Sequence, residues 1–183
     1  MARRRDNRTM TRPATFIVSL AAACSAACSP TLDWREFVPE GTDISVSFPC
    51  RPDRQARAVI VAGAKAQMEM LACNAGDATF ALAFVDVADP ARVGATLSEL
   101  RATAAGNLQD ASPQNAPLQI KGMTPNEHAA RVTMAGKLPD GAAVQEHAAF
   151  LARGLRVYQA TVIGAKPAPQ VVDTFFAGLK FPG

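Results

Sequence analysis

Histidine is scarce in this chain: His128 and His147 are the only two among 183 residues. A zinc centre usually takes three or four protein ligands, so this scarcity argues against a built metal site. The short motifs that carry known chemistry are missing too. There is no G-x-S-x-G elbow, no P-loop, no dinucleotide-binding glycine fingerprint and no H-E-x-x-H. Gly94 and Gly106 stand alone inside a helical pattern and do not form a phosphate cradle. No apolar run approaches the roughly 20 residues a membrane-spanning helix needs. Internal repeats and low-complexity tracts are also absent.

A clustered basic surface is lacking as well, although the formal net charge is +3. Arg3, Arg4, Arg5, Arg8 and Arg12 crowd the first residues, with Asp6 the only acid among them. Removing these from 19 basic and 16 acidic residues leaves 14 against 15, a net of −1. Nucleic-acid binding needs concentrated positive charge, so that class is excluded.

What is present begins with an export address. The arginines precede a short apolar stretch, Ala14 to Ala23, and small residues then surround Cys24 and Cys28. That order is the signature of a bacterial secretory signal, assigned here to residues 1–27. Leu20-Ala21-Ala22-Ala23-Cys24 resembles a lipobox with its leucine one place too far back. Ser25-Ala26-Ala27-Cys28 has the small residues but no leucine. The expected lipid attachment is therefore Cys28 or Cys24, making a membrane-anchored lipoprotein that faces the periplasm. Ordinary cleavage after Ala23 is the alternative and would give a soluble periplasmic protein. Ser29 or Ser25 after the acylated cysteine lacks the aspartate retention signal, which points to the outer membrane.

Residues 28–43 form a polar lead-in tether that holds the only tryptophan, Trp34. The rest, residues 44–183, has the length of a single domain with its own core. Its two cysteines, Cys50 and Cys73, each close a predicted strand. In an oxidising compartment they are expected to pair, with two buried thiols as the alternative.

Ile44-Ser45-Val46-Ser47-Phe48 alternates apolar and polar residues, as a half-buried strand does. Further strands are predicted over 57–61, 67–73 and 79–87. In the last of these, Phe80, Leu82 and Phe84 share one face while Ala81, Ala83 and Val85 share the other. Apolar residues on both faces require cover on both faces. Asp89-Pro90 then opens a helix, in which Val93, Leu97, Leu100, Ala104 and Leu108 form an amphipathic stripe. Strands over 118–121, 129–134, 144–153 and 155–163 follow, and a last helix starts near Pro167. The fold class is α+β: a mostly antiparallel sheet of about six to eight strands layered with two helices.

The strand entering Phe48-Pro49-Cys50, the hairpin series, the long helix, Phe150 to Gln159 and the closing helix with Phe175-Phe176 together resemble the PsbP-like α/β/α sandwich. Cys28 to Glu36 is similar to the segment after the lipobox in bacterial lipoproteins, which favours Cys28 as the acylated residue. The resemblance implies a binding or assembly module with no catalytic residues and no cofactor. Its expected partners are the membrane, through the lipid, and an envelope protein.

The competing reading is a periplasmic enzyme, or a redox or metal-handling protein, using Cys50/Cys73 or His128/His147. Glu127 and Glu146 sit beside the histidines, Arg51 and Arg54 beside Cys50, and Met68, Met70 and Met134 offer thioether ligands for copper, the first two on one strand face. A disulfide and ordinary core packing explain the same residues. Tyr158 is expected in the core with its hydroxyl hydrogen-bonded.

Overall fold

The computed structural model describes Met1 and residues 32–110 and 112–182. Residues 2–27 of the expected signal and both candidate acylation sites, Cys24 and Cys28, lie outside the described residues. The chain folds as an α+β sandwich around a seven-stranded antiparallel sheet.

Three strands build one half of that sheet as a meander: β3 (Asp53–Val61), β4 (Ala64–Ala75) and β5 (Ala78–Asp86), numbered after two short strands described below. The β3–β4 turn is Ala62-Gly63, with φ of 46° and 73°. Two left-handed residues in succession match the right-handed twist of a hairpin. A helix, α1 (Arg92–Leu108), then crosses the sheet, and β6 (Gln114–Ala116), β7 (Ala130–Lys137), β8 (Ala143–Arg153) and β9 (Arg156–Gly164) return from the far edge. The strand order is β3-β4-β5-β9-β8-β7-β6, which places β9 beside β5 in the centre.

One face of the sheet is covered by α2 (Pro169–Ala177) and by a small two-stranded sheet, β1 (Arg35–Phe37) with β2 (Val46–Phe48). Ile44, Phe48, Phe80, Leu82, Phe84, Tyr158, Phe175 and Phe181 are buried there. The segment after α2 is tied to β2 by paired backbone bonds between Ser45 and Lys180, at 2.7 and 2.9 Å. The lead-in is thus structured from Asp33 on: β1 pairs with β2, and Trp34 meets Phe80 edge to face at 5.9 Å.

The opposite face is covered by α1, over a core that is mostly aliphatic and contains Val85, Leu97, Leu108, Val132, Met134, Phe150 and Val157. The helix end rests on β7 at Gly136, where a Cβ would stand 1.9 Å from the Leu108 carbonyl oxygen. Only glycine permits that approach.

Three local expectations change. Asp89 does not cap α1 directly. Its Oδ1 accepts the Ala91 N–H at 2.9 Å in a turn, and the helix starts two residues beyond Pro90. Leu118 to Lys121 is not a strand. Gln114–Ala116 pairs with β7 instead, while Ile120 turns back on Met123, whose N–H it receives at 3.1 Å, and both pack on the aromatic core. Neither Cys50 nor Cys73 closes a strand: Cys50 lies two residues beyond β2 and Cys73 inside β4, so their bond ties the two layers together.

Candidate functional site

The disulfide joins Cys50, just beyond β2, to Cys73 inside β4, with the Cα atoms 6.0 Å apart. That separation suits an ordinary bridge. Arg54 is occupied by Glu69, Nε to Oε2 at 2.7 Å, and so does not face the sulfurs as a free cation.

The histidines are not brought together. His128 lies in the loop before β7, against Gly94 at the start of α1. His147 is on β8, where Thr133 Oγ1 stands 3.1 Å from its Nδ1. Burial lowers its pKa, Arg131 lowers it further and Asp173 opposes them. Strand alternation sends Glu146, the sequence neighbour of His147, to the opposite face of the sheet. Among the described residues, no three His, Cys, Asp or Glu side chains gather as a metal site. Met68 and Met70 do share a face, with Met68 buried and Met70 more open.

At the other end of the sheet, a group of charges clamps the lead-in. Arg156 grips Asp86 with two bonds of 2.6 Å and also donates to the Gly41 carbonyl. The Asp86 carboxylate raises the pKa of that guanidinium. Arg153 pairs with Asp43 at 2.9 Å, and the Tyr158 hydroxyl donates to Asp43 at 3.2 Å. Burial and Asp43 push the Tyr158 phenol up. All these groups partner one another, which is the behaviour of a structural clamp.

The α1 face differs. Because α1 lies mainly over β7, β8 and β9, a cleft of about 420 Å³ remains between the helix and the β3–β4–β5 half. Met68, Met70, Ala81 and Ala83 contribute its floor, and Leu100 and Asn107 stand on the helix side. The cleft is held open at one end by Glu99 of α1, whose Oε2 accepts the Ala62 N–H of the β3–β4 turn at 2.6 Å. That bond fixes the distance between helix and hairpin.

Glu146 reaches this cleft from β8 and is itself buried, at 7% exposure. Its cross-strand neighbours are Met134 on β7 and Ile163 on β9, both apolar. Burial raises its pKa to about 7. Thr161 beside it opposes that shift, and no neighbouring charge contributes. Thr161 Oγ1 accepts Gln159 Nε2 at 3.3 Å, and both side chains line the cleft with Glu146. An apolar concavity with convergent polar groups and a perturbed acid has the ordinary make-up of a ligand site.

Sequence reasoning named Glu146 only as a companion of His147. The stronger signal was its phase: it falls in step with Val144, Ala148, Phe150 and Ala152, the strand positions that face the core. A carboxylate in that register must be buried.

The fold and cleft define an α+β sandwich with one face left partly open. Compared with known proteins, the chain matches no family model, and no curated protein is similar to it in sequence. Among the described residues no helix is long and apolar enough to cross a membrane.

Proposed function

We propose that this chain is an exported bacterial envelope lipoprotein, anchored through Cys28 or Cys24, that binds an envelope component without transforming it. The α1-side cleft is its binding surface, and the cleft is the observation that carries the reading. Its ionisable lining, among the described residues, is limited to Arg57, Glu99 and Glu146. Glu99 is engaged by a backbone N–H and the Thr161 hydroxyl receives Gln159, which favours binding over turnover. Helices on both faces of an antiparallel sheet support the PsbP-like resemblance. The Cys50–Cys73 bond supports an oxidising compartment outside the cytoplasm.

Two measurements test this reading. Metabolic palmitate labelling should mark the wild-type protein and fail with Cys24 and Cys28 both replaced by alanine, which should also release it into the soluble fraction. A photo-reactive residue placed at Asn107 on the cleft rim should capture an envelope component in intact cells, while the same residue at Ser98, an exposed position outside the cleft, should not. An unlabelled wild-type protein would remove the anchor. Equal capture at both positions would remove the cleft as the surface.

A further inference from the structure

We propose that the α1-side cleft is a site for a small amphiphile with a single alkyl chain and a primary ammonium head, the head resting on the Glu146 carboxylate. The proposal rests on the reading of the cleft as a binding surface and names the ligand chemistry it takes.

Three observations define the occupant. The cleft volume of about 420 Å³ lies within the range of small-molecule sites and is too small for a macromolecular surface. Its floor is apolar, with Met68, Met70, Ala81 and Ala83 in one patch, so it suits hydrocarbon. Methionine adapts to varied alkyl shapes. Finally, Glu146 is the one buried polar residue of the lining, and its carboxyl meets no counter-charge there.

Charge selects the head. A carboxylate ligand would set two anions together in apolar surroundings. A hydroxyl head would offer one neutral hydrogen bond and leave the carboxylate charge uncompensated. An ammonium supplies a charge-assisted hydrogen bond and the missing counter-charge. The groups around Glu146 do not supply it themselves. Met134 of β7 and Ile163 and Thr161 of β9 flank it, and α1 contributes Glu99, an acid, to the same cleft. Arg57 of β3 lies on the cleft wall without shifting the titration of Glu146, so it is not that counter-charge.

The test is calorimetric titration of the intact mature domain with octylamine, octanol and octanoate. Octylamine should bind at least about tenfold more tightly than octanol, and octanoate should bind weakest, as expected for a hydrogen bond to a charged group. Its affinity should rise between pH 5.5 and 8 as Glu146 ionises, because an alkylamine stays protonated across that range. Glu146→Gln should abolish the advantage of octylamine over octanol. Ala81→Leu, which fills the floor, should weaken both, with circular dichroism confirming that each variant is folded. Octanol or octanoate matching octylamine would overturn the ammonium assignment and leave the cleft as a binding surface. Binding of octylamine unaffected by Glu146→Gln would overturn it equally. If none of the three probes binds, the cleft reading falls with it.

Discussion

The two faces of the central sheet are closed by different means. On the α2 face, seven phenylalanines, Trp34 and Tyr158 gather under a nine-residue helix and a two-stranded sheet. Phe175 touches Phe48, Phe80 and Phe176 edge to face, with ring centres 5.5–5.7 Å apart. Arg131 and Arg153 lie over the outer rings of Phe176 and Phe181, at 4.5 and 5.0 Å. A disulfide holds the layers together. On the α1 face there is one aromatic residue, Phe150, and a 17-residue helix whose buried positions are small or aliphatic. That helix covers three strands well and leaves the β3–β4–β5 half open. One face spends its surface on cohesion, and the other keeps a concavity with a buried acid.

Cutting the aromatic face should have the largest effect. Phe175→Ala removes a fully buried ring from the centre of the cluster and should cost roughly 3–5 kcal/mol in urea unfolding. Leu100→Ala, at the margin of the cleft, should cost about 2 kcal/mol, the low end for its type. An equal loss at both positions would erase the distinction between a closed face and an open one. The disulfide belongs to the closed face. Replacing Cys50 and Cys73 by serine should cost roughly 3 kcal/mol, from the loop entropy of the unfolded chain. A double mutant as stable as wild type would show that the aromatic packing holds the layers alone.

On the open face the effect depends on pH and has the opposite sign. Glu146 has its folded-state pKa raised to about 7, so the folded protein binds a proton that the unfolded chain has already released. Folding stability should therefore be greatest below the normal carboxyl pKa and fall as pH rises through 7, by up to about 3 kcal/mol for a shift of this size. Glu146→Gln should abolish that slope and leave the variant more stable than wild type at pH 8. A wild-type stability that does not change between pH 5 and 8 would mean the carboxyl is not desolvated.

The elements of both faces were more legible in the sequence than the cleft between them. Period-two alternation in Phe80 to Val85 showed that both sides of β5 are covered, and the stripe of Val93, Leu97, Leu100, Ala104 and Leu108 located α1. These signals are local. The cleft is not, because it depends on where α1 lands relative to seven strands, and landing is set by tertiary contacts such as Gly136 under Leu108 and Glu99 on Ala62. The misplaced strand at 118–121 has the same origin. Leu118 and Ile120 are apolar at alternate positions, yet they serve as loop anchors on the aromatic core while the polar Gln114–Ala116 takes the sheet edge. The disulfide was legible from the expected compartment and the number of cysteines, but its role in joining two layers was not.

The smallest expected effect concerns the histidines. His147 faces the α2 side, next to Thr133, while His128 stands in an exposed loop with its imidazole near Gly94. Neither packs in a core, and neither meets the other. His128 is held through its backbone: its N–H is received by Asn126 Oδ1 at 2.9 Å and its carbonyl accepts Arg101 at 3.2 Å. Both contacts survive truncation of the side chain. His147→Ala removes one partly solvated hydrogen bond from Thr133, which water can replace. Each substitution should therefore shift stability by no more than about 0.5 kcal/mol, and palmitate labelling and partner capture at the cleft should not change. A loss of capture in His147→Ala would place the binding surface on the aromatic face. Stoichiometric metal in the purified protein, lost with either histidine, would bring back the metal-handling alternative. The geometry favours neither result, since the two rings belong to different elements and Glu146 faces the side of the sheet opposite to His147.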